Sequence, residues 1–256
     1  MSDIVILHYI KLVYRSILFV AAFVVYVLNR IHNTGKAFSG WEDNHILLMC
    51  IWTVFLVEMI LRCFPSKYES MGCQKQFARN YHSLLKEGET AKLNTAKTTF
   101  AVAAAWLTLN GIIGVLYFTG VIDAGVLLLI SLAYSVCDII CILFFCPFQT
   151  WFMKNKCCGN CRIYNWDYAM MFTPLVFIKN AYTWTLLGLA LLLLIKWEYT
   201  VHKYPERFTE RSNKSLSCAM CQEKLCHHKV QLRTFLQKGK FETIGKILFN
   251  QDNKNM

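Results

Sequence analysis

The sequence predicts an all-α, polytopic helical membrane protein with four to five membrane segments and a small Cys-rich module outside the bilayer. Three observations predict it. The chain of 256 residues is 55% hydrophobic and only 17% charged, where a soluble domain carries roughly a quarter charged residues. Apolar runs of about 20 residues, enough to cross a bilayer as a helix, recur along it. Its 12 cysteines fall partly into Cys-x2-Cys pairs that lie outside those runs.

The first 149 residues predict a four-helix transmembrane region. Its segments are 9–29, 45–64, 98–119 and 122–146. Gly120 and Val121 join the last two as a tight antiparallel hairpin. The N-terminus lacks a short apolar core with a small-residue cleavage site, so it reads as retained. The region 168–197, "YAMMFTPLVFIKNAYTWTLLGLALLLLIKW", is different. It is long, contains Pro174 and is interrupted at Lys179–Asn180. It reads as a broken, re-entrant segment, with one Pro-kinked fifth span as the alternative. Re-entrant backbone is tolerated at membrane depth only where other helices or water cover it.

The net charge of +11 comes from 27 Lys and Arg against 16 Asp and Glu. The basic residues gather in 62–97, in 147–167 and after 197, whereas 30–44 and 120–121 hold few. The positive-inside rule puts the basic loops and the N-terminus in the cytoplasm. A single crossing by 168–197 would leave the basic tail outside, and the re-entrant reading removes that conflict. No nucleic-acid motif accompanies the basicity, so no nucleic-acid partner is expected. In the tail 198–249, residues 229–249 read as an amphipathic helix suited to anionic lipid or to packing on the Cys-rich module. Residues 250–256 read as frayed.

The chemistry-bearing pattern is Cys158-x2-Cys161 in the loop 150–167, followed by Cys218-x2-Cys221 in the tail. Two thiolates at this spacing converge when the turn between them is tight, and Gly159–Asn160 suit such a turn. Two such pairs make a tetrahedral four-sulfur site for zinc, the preferred metal, or for iron or an iron–sulfur cluster. Cys157, Cys226, His227 and His228 are spare ligands. The reduced cytosol favours metal over disulfide, and an outward-facing cluster would reverse that. The pairs can meet only if they share a side of the membrane. Cys137, Cys141 and Cys146 lie in the fourth apolar segment and read as small hydrophobes.

Four polar residues fall within the apolar segments: Glu58, Asn110, Asp138 and Lys179. They predict either a polar chamber for an ion, proton or lipid head group, or helix–helix glue with Asp138 paired to Lys179 and Glu58 to Arg62. No phosphate-binding loop, dinucleotide fingerprint, zinc-protease motif or nucleophile elbow is present. The leading expectation is a membrane metalloprotein whose cytosolic metal module braces, senses or passes electrons to the core. Alternatives are a small transporter or channel using Glu58 and Asp138, and a membrane enzyme acting at the Cys-rich face.

Overall fold

The computed structural model describes residues 3–31, 45–65, 71–85, 89, 91, 93, 96–153 and 161–217. They form α1 (Asp3–Ile31), α2 (His45–Arg62), α3 (Met71–Gln76), α4 (Ala96–Phe118), α5 (Ala124–Leu143), α6 (Asp167–Phe172) and α7 (Ala181–Lys203), with short 3-10 turns and a π-helical turn at Phe148–Phe152 between and after them. Among these residues no strand forms, and Ser83 and Asn213 make an isolated antiparallel bridge. Of the expected Cys-rich module only Cys161 is described. Residues 154–160 and 218–256, with Cys157, Cys158, Cys218, Cys221, Cys226, His227 and His228, lie outside the described residues.

Among the described residues, four helices are long and apolar enough to cross a membrane: Val5–Ile31, Ala96–Phe118, Ala124–Leu143 and Ala181–Lys203. This is compatible with a multi-pass membrane protein. Their outward faces carry Ile10, Val13, Ile17, Phe23, Phe100, Ile112, Phe118, Leu192 and Ile195, all exposed. An apolar surface this extended is untenable in water and suits lipid. Three of the expected spans are in this set, as α1, α4 and α5. The second expected span becomes α2, 18 residues long, which ends at Arg62 because Pro65 disfavours helical backbone before it. The fifth region supplies the other helix of that set, and α2, at 18 residues, is itself within the range of about 17–25 that can cross a bilayer.

That region divides at Ile178–Asn180. Pro174 tightens residues Thr173–Phe177 into a 3-10 turn. The Asn180 side chain then accepts from the Tyr182 amide at 2.9 Å and starts α7, as an Asn N-cap does. The two pieces are unequal: α6 with its 3-10 extension is short, whereas α7 has 23 residues.

Pairwise contacts set the directions. Along α1 and α5, Tyr9 meets Phe144, Arg15 meets Asp138 and Tyr26 meets Asp123, so the two run antiparallel. Gly120, with φ 76°, takes the left-handed conformation that lets α4 turn into α5. The Asp123 carboxylate caps α5 by accepting from the Val126 amide at 2.9 Å. Trp106 meets Thr173 and Phe118 meets Phe177, so 162–178 runs alongside α4 toward this hairpin end. Trp52 meets Thr185 and the Cys63 carbonyl accepts from Lys196, so α7 runs beside α2 back to the opposite, loop end.

The chain after α7 stays at the loop end. Leu84 N donates to Ser212 O and Lys214 N to His82 O, each at 2.9 Å. Asn213 is fully buried and donates to the carbonyls of Lys75 and Arg207, each at 3.0 Å. Trp197, Val201 and Phe208 form a small core with Phe77, Leu93 and Tyr164. The start of the tail, the loop after α2 and the Cys161 stretch therefore close one end of the bundle together.

Candidate functional site

Two ion-pair clusters sit inside the loop-end half of the bundle. In the first, Arg15 of α1 is only 2% exposed. It reaches Glu58 of α2 at 2.6 Å, and Asp138 of α5 at 3.3 Å, and donates to the Ser135 carbonyl at 2.9 Å. Its guanidinium lies over the Phe55 ring. Lys11, one helical turn before Arg15, stands 3.6 Å from Glu58. Tyr14 and Tyr168 also donate to the Glu58 carboxylate.

In the second cluster, Arg62 pairs with Asp167 at 2.7 Å and lies against the rings of Tyr164 and Tyr168. Beside it, Asn165 donates to Gln76 at 2.7 Å, tying the cluster to α3. Asp167 belongs to none of the four crossing-length helices. Burial pushes its carboxyl up to about 6, against the pull of Arg62. A charge moved out of water costs several kcal/mol unless it is matched and hydrogen-bonded. Here three cations, Lys11, Arg15 and Arg62, face three carboxylates, Glu58, Asp138 and Asp167.

Of the four buried polar residues read from the sequence, the fold brings Glu58 and Asp138 together. Asn110 is buried on α4, where its amide donates to the Trp106 carbonyl at 3.0 Å. Lys179 is exposed, next to the break at the hairpin end. In place of the expected Asp138–Lys179 pair, Arg15 reaches Asp138 as well as Glu58, and Arg62 pairs with Asp167. Sequence reasoning missed Arg15, Lys11 and Asp167. A signal existed for the first two: a Lys and an Arg four residues apart fall on one face of an otherwise apolar helix.

Against the polar core lies a cavity of about 140 Å³. Its walls include Asp138 and Asp167, the rings of Trp106, Tyr134, Phe148 and Tyr164, and the thiols of Cys137, Cys141, Cys146 and Cys161. Cys161, 5% exposed, packs with Val102, Met153 and Ile163. Cys137, Cys141 and Cys146, which read as small hydrophobes, thus line the same cavity as Cys161. Among the described residues these cysteines form no disulfide, and no three His, Cys, Asp or Glu side chains are grouped to hold a metal.

The geometry defines an all-helical bundle compatible with a multi-pass membrane protein, with a charge-paired polar core and a cysteine-lined cavity at one end. No protein family, curated protein or solved structure matches the chain.

Proposed function

We propose that the chain is a multi-pass membrane metalloprotein. In this reading Cys158, Cys161, Cys218 and Cys221 hold zinc, or iron in its place, at the cytosolic end of the bundle. The metal braces the loops that cap the polar core. One observation carries the reading: α7 returns the chain to the end it left. Cys161 opens the stretch whose Tyr164 packs with Trp197 and Phe208. Ser217, the residue before Cys218, closes a stretch hydrogen-bonded to the loop after α2. A site shared by the two pairs requires this return. Charge supports the orientation, since Lys75, Arg79, Arg162, Lys203, Arg207 and Lys214 gather at this end, as cytoplasmic loops do.

The test is metal content with a UV–visible spectrum on protein purified anaerobically in detergent, beside a Cys158→Ser/Cys218→Ser variant. The expected result is about one metal per chain, absent from the variant, as a closed four-ligand site requires. Colour would assign iron, and a colourless metal zinc. A metal-free wild type would overturn the proposal.

A second reading, proton or ion transport, is favoured by the meeting of Glu58 and Asp138 at Arg15. Its weakness is the even balance of charge, which leaves no unmatched carboxylate for a cation. Uptake into proteoliposomes that survives in Glu58→Gln and Asp138→Asn would remove it.

A further inference from the structure

The cavity beside the polar core has the features of a ligand site, and its contents can be read from its walls. Its volume of about 140 Å³ is close to that of an engineered apolar cavity, about 150 Å³, that admits benzene. One wall is aromatic and already ordered. Trp106 stands 4.7 Å from Tyr134 and 6.1 Å from Phe148 between ring centroids. Cys137 both lines the cavity and is exposed on α5, so the cavity communicates with the apolar outer surface.

Two carboxylates, Asp138 and Asp167, break the apolar lining, and Asp138 is the more accessible. The Asp138 side chain keeps 20% of its surface exposed. Its Oδ2 faces Arg15, and among the described residues Oδ1 accepts no hydrogen bond. The Lys11–Arg15–Glu58–Asp138 group carries no net charge, so a cationic ligand would be unmatched, whereas a neutral donor would satisfy Oδ1. Aromatic walls, benzene-sized volume and two waiting acceptors, the accessible Asp138 Oδ1 and the buried Asp167 Oδ1, define a narrow chemistry.

We propose that this cavity binds a phenol, as a free small molecule or as the head group of a lipid, with its ring against Trp106 and its hydroxyl donating to Asp138. The site does not depend on the metal reading above. Entry is from the lipid side, past Cys137.

The test is ligand-observed ¹⁹F NMR on the full chain in nanodiscs, with empty nanodiscs as the partition reference. The probes are 4-fluorophenol, fluorobenzene and 4-fluoroanisole. The phenol is expected to bind saturably, about tenfold tighter than either probe without a donor, the scale of a hydrogen bond to a charged acceptor. Asp138→Asn keeps the shape and is expected to shrink that preference. The comparison between probes needs no variant, so a misfolded Asp138→Asn leaves the proposal open to refutation. Equal binding of all three probes, or no saturable binding above empty nanodiscs, overturns it. A long-chain 4-alkylphenol that displaces 4-fluorophenol at far lower concentration would identify the lipid as the source. Displacement no better than by phenol itself would identify the free molecule.

Discussion

The two halves of this bundle are held by opposite physics. Near the Gly120 hairpin, Ala22, Leu48, Leu127, Leu128, Leu175 and Leu186 pack as an apolar core. Near the loop end, the same helices meet through Arg15, Glu58, Asp138, Arg62 and Asp167. In lipid, apolar packing gains no hydrophobic drive between helices, so close fit alone must hold the hairpin half. A matched charge cluster is directional. It penalises any register that leaves a partner behind. The hairpin half thus supplies tolerant packing, and the loop half specifies which helices lie together.

The strongest way to break this contrast is Arg15→Leu, which strands Asp138 and leaves Glu58 with Lys11 as its remaining close cation. It should cost about 3–5 kcal/mol, the scale of a broken buried pair, read as a loss of midpoint in detergent unfolding. Adding Glu58→Gln and Asp138→Asn should return much of that loss. If the triple variant is no more stable than the single one, the cluster is not an electrostatic unit.

In the hairpin half, Leu127→Ala should cost about 3 kcal/mol through the cavity it leaves. Unlike the Arg15 effect, this loss should not change with pH or with neutralising a second residue. A strong pH dependence would show the halves to be coupled.

A smaller effect sharpens the polar side. Burial raises the Asp167 carboxyl to about 6, so the folded chain holds this proton more tightly than the unfolded chain. Stability from this group is therefore fullest below about pH 4, the unfolded value, and is lost as pH rises through the raised value. A protonated-carboxyl infrared band should grow as pH falls through that value and be missing in Asp167→Asn. A band unchanged by that substitution would assign the proton elsewhere.

The smallest effect is at the hairpin. Asp123→Ala removes the α5 cap and should cost about 1 kcal/mol, visible as a small shift in thermal midpoint with the bundle intact. A loss as large as that of Arg15→Leu would show that the Asp123 contacts to Tyr26 and Arg30 also specify register.

Much of the architecture was legible from one sequence. Length and apolarity marked α1, α4 and α5, Gly120 marked their hairpin, and Pro174 with Lys179–Asn180 marked the break before α7. These features are local: each acts through backbone geometry or through the lipid cost of a nearby side chain. Glu58 and Asp138 were recognisable because an acid in an apolar run is conspicuous. Arg15, near the middle of α1, was harder to place, since its partners Glu58 and Asp138 stand on two other helices.

What the sequence by itself determined is therefore the class: helical segments of membrane-crossing length, where they turn, and which residues are costly to bury. Only the tertiary structure decided the pairings. Arg62 stands four residues from Glu58, close enough to pair along the helix, yet joins Asp167. Cys137, Cys141 and Cys146 share a wall with Cys161. Pairing between distant segments depends on helix rotation and direction, which are set by the packing of all the helices at once and which no single segment encodes.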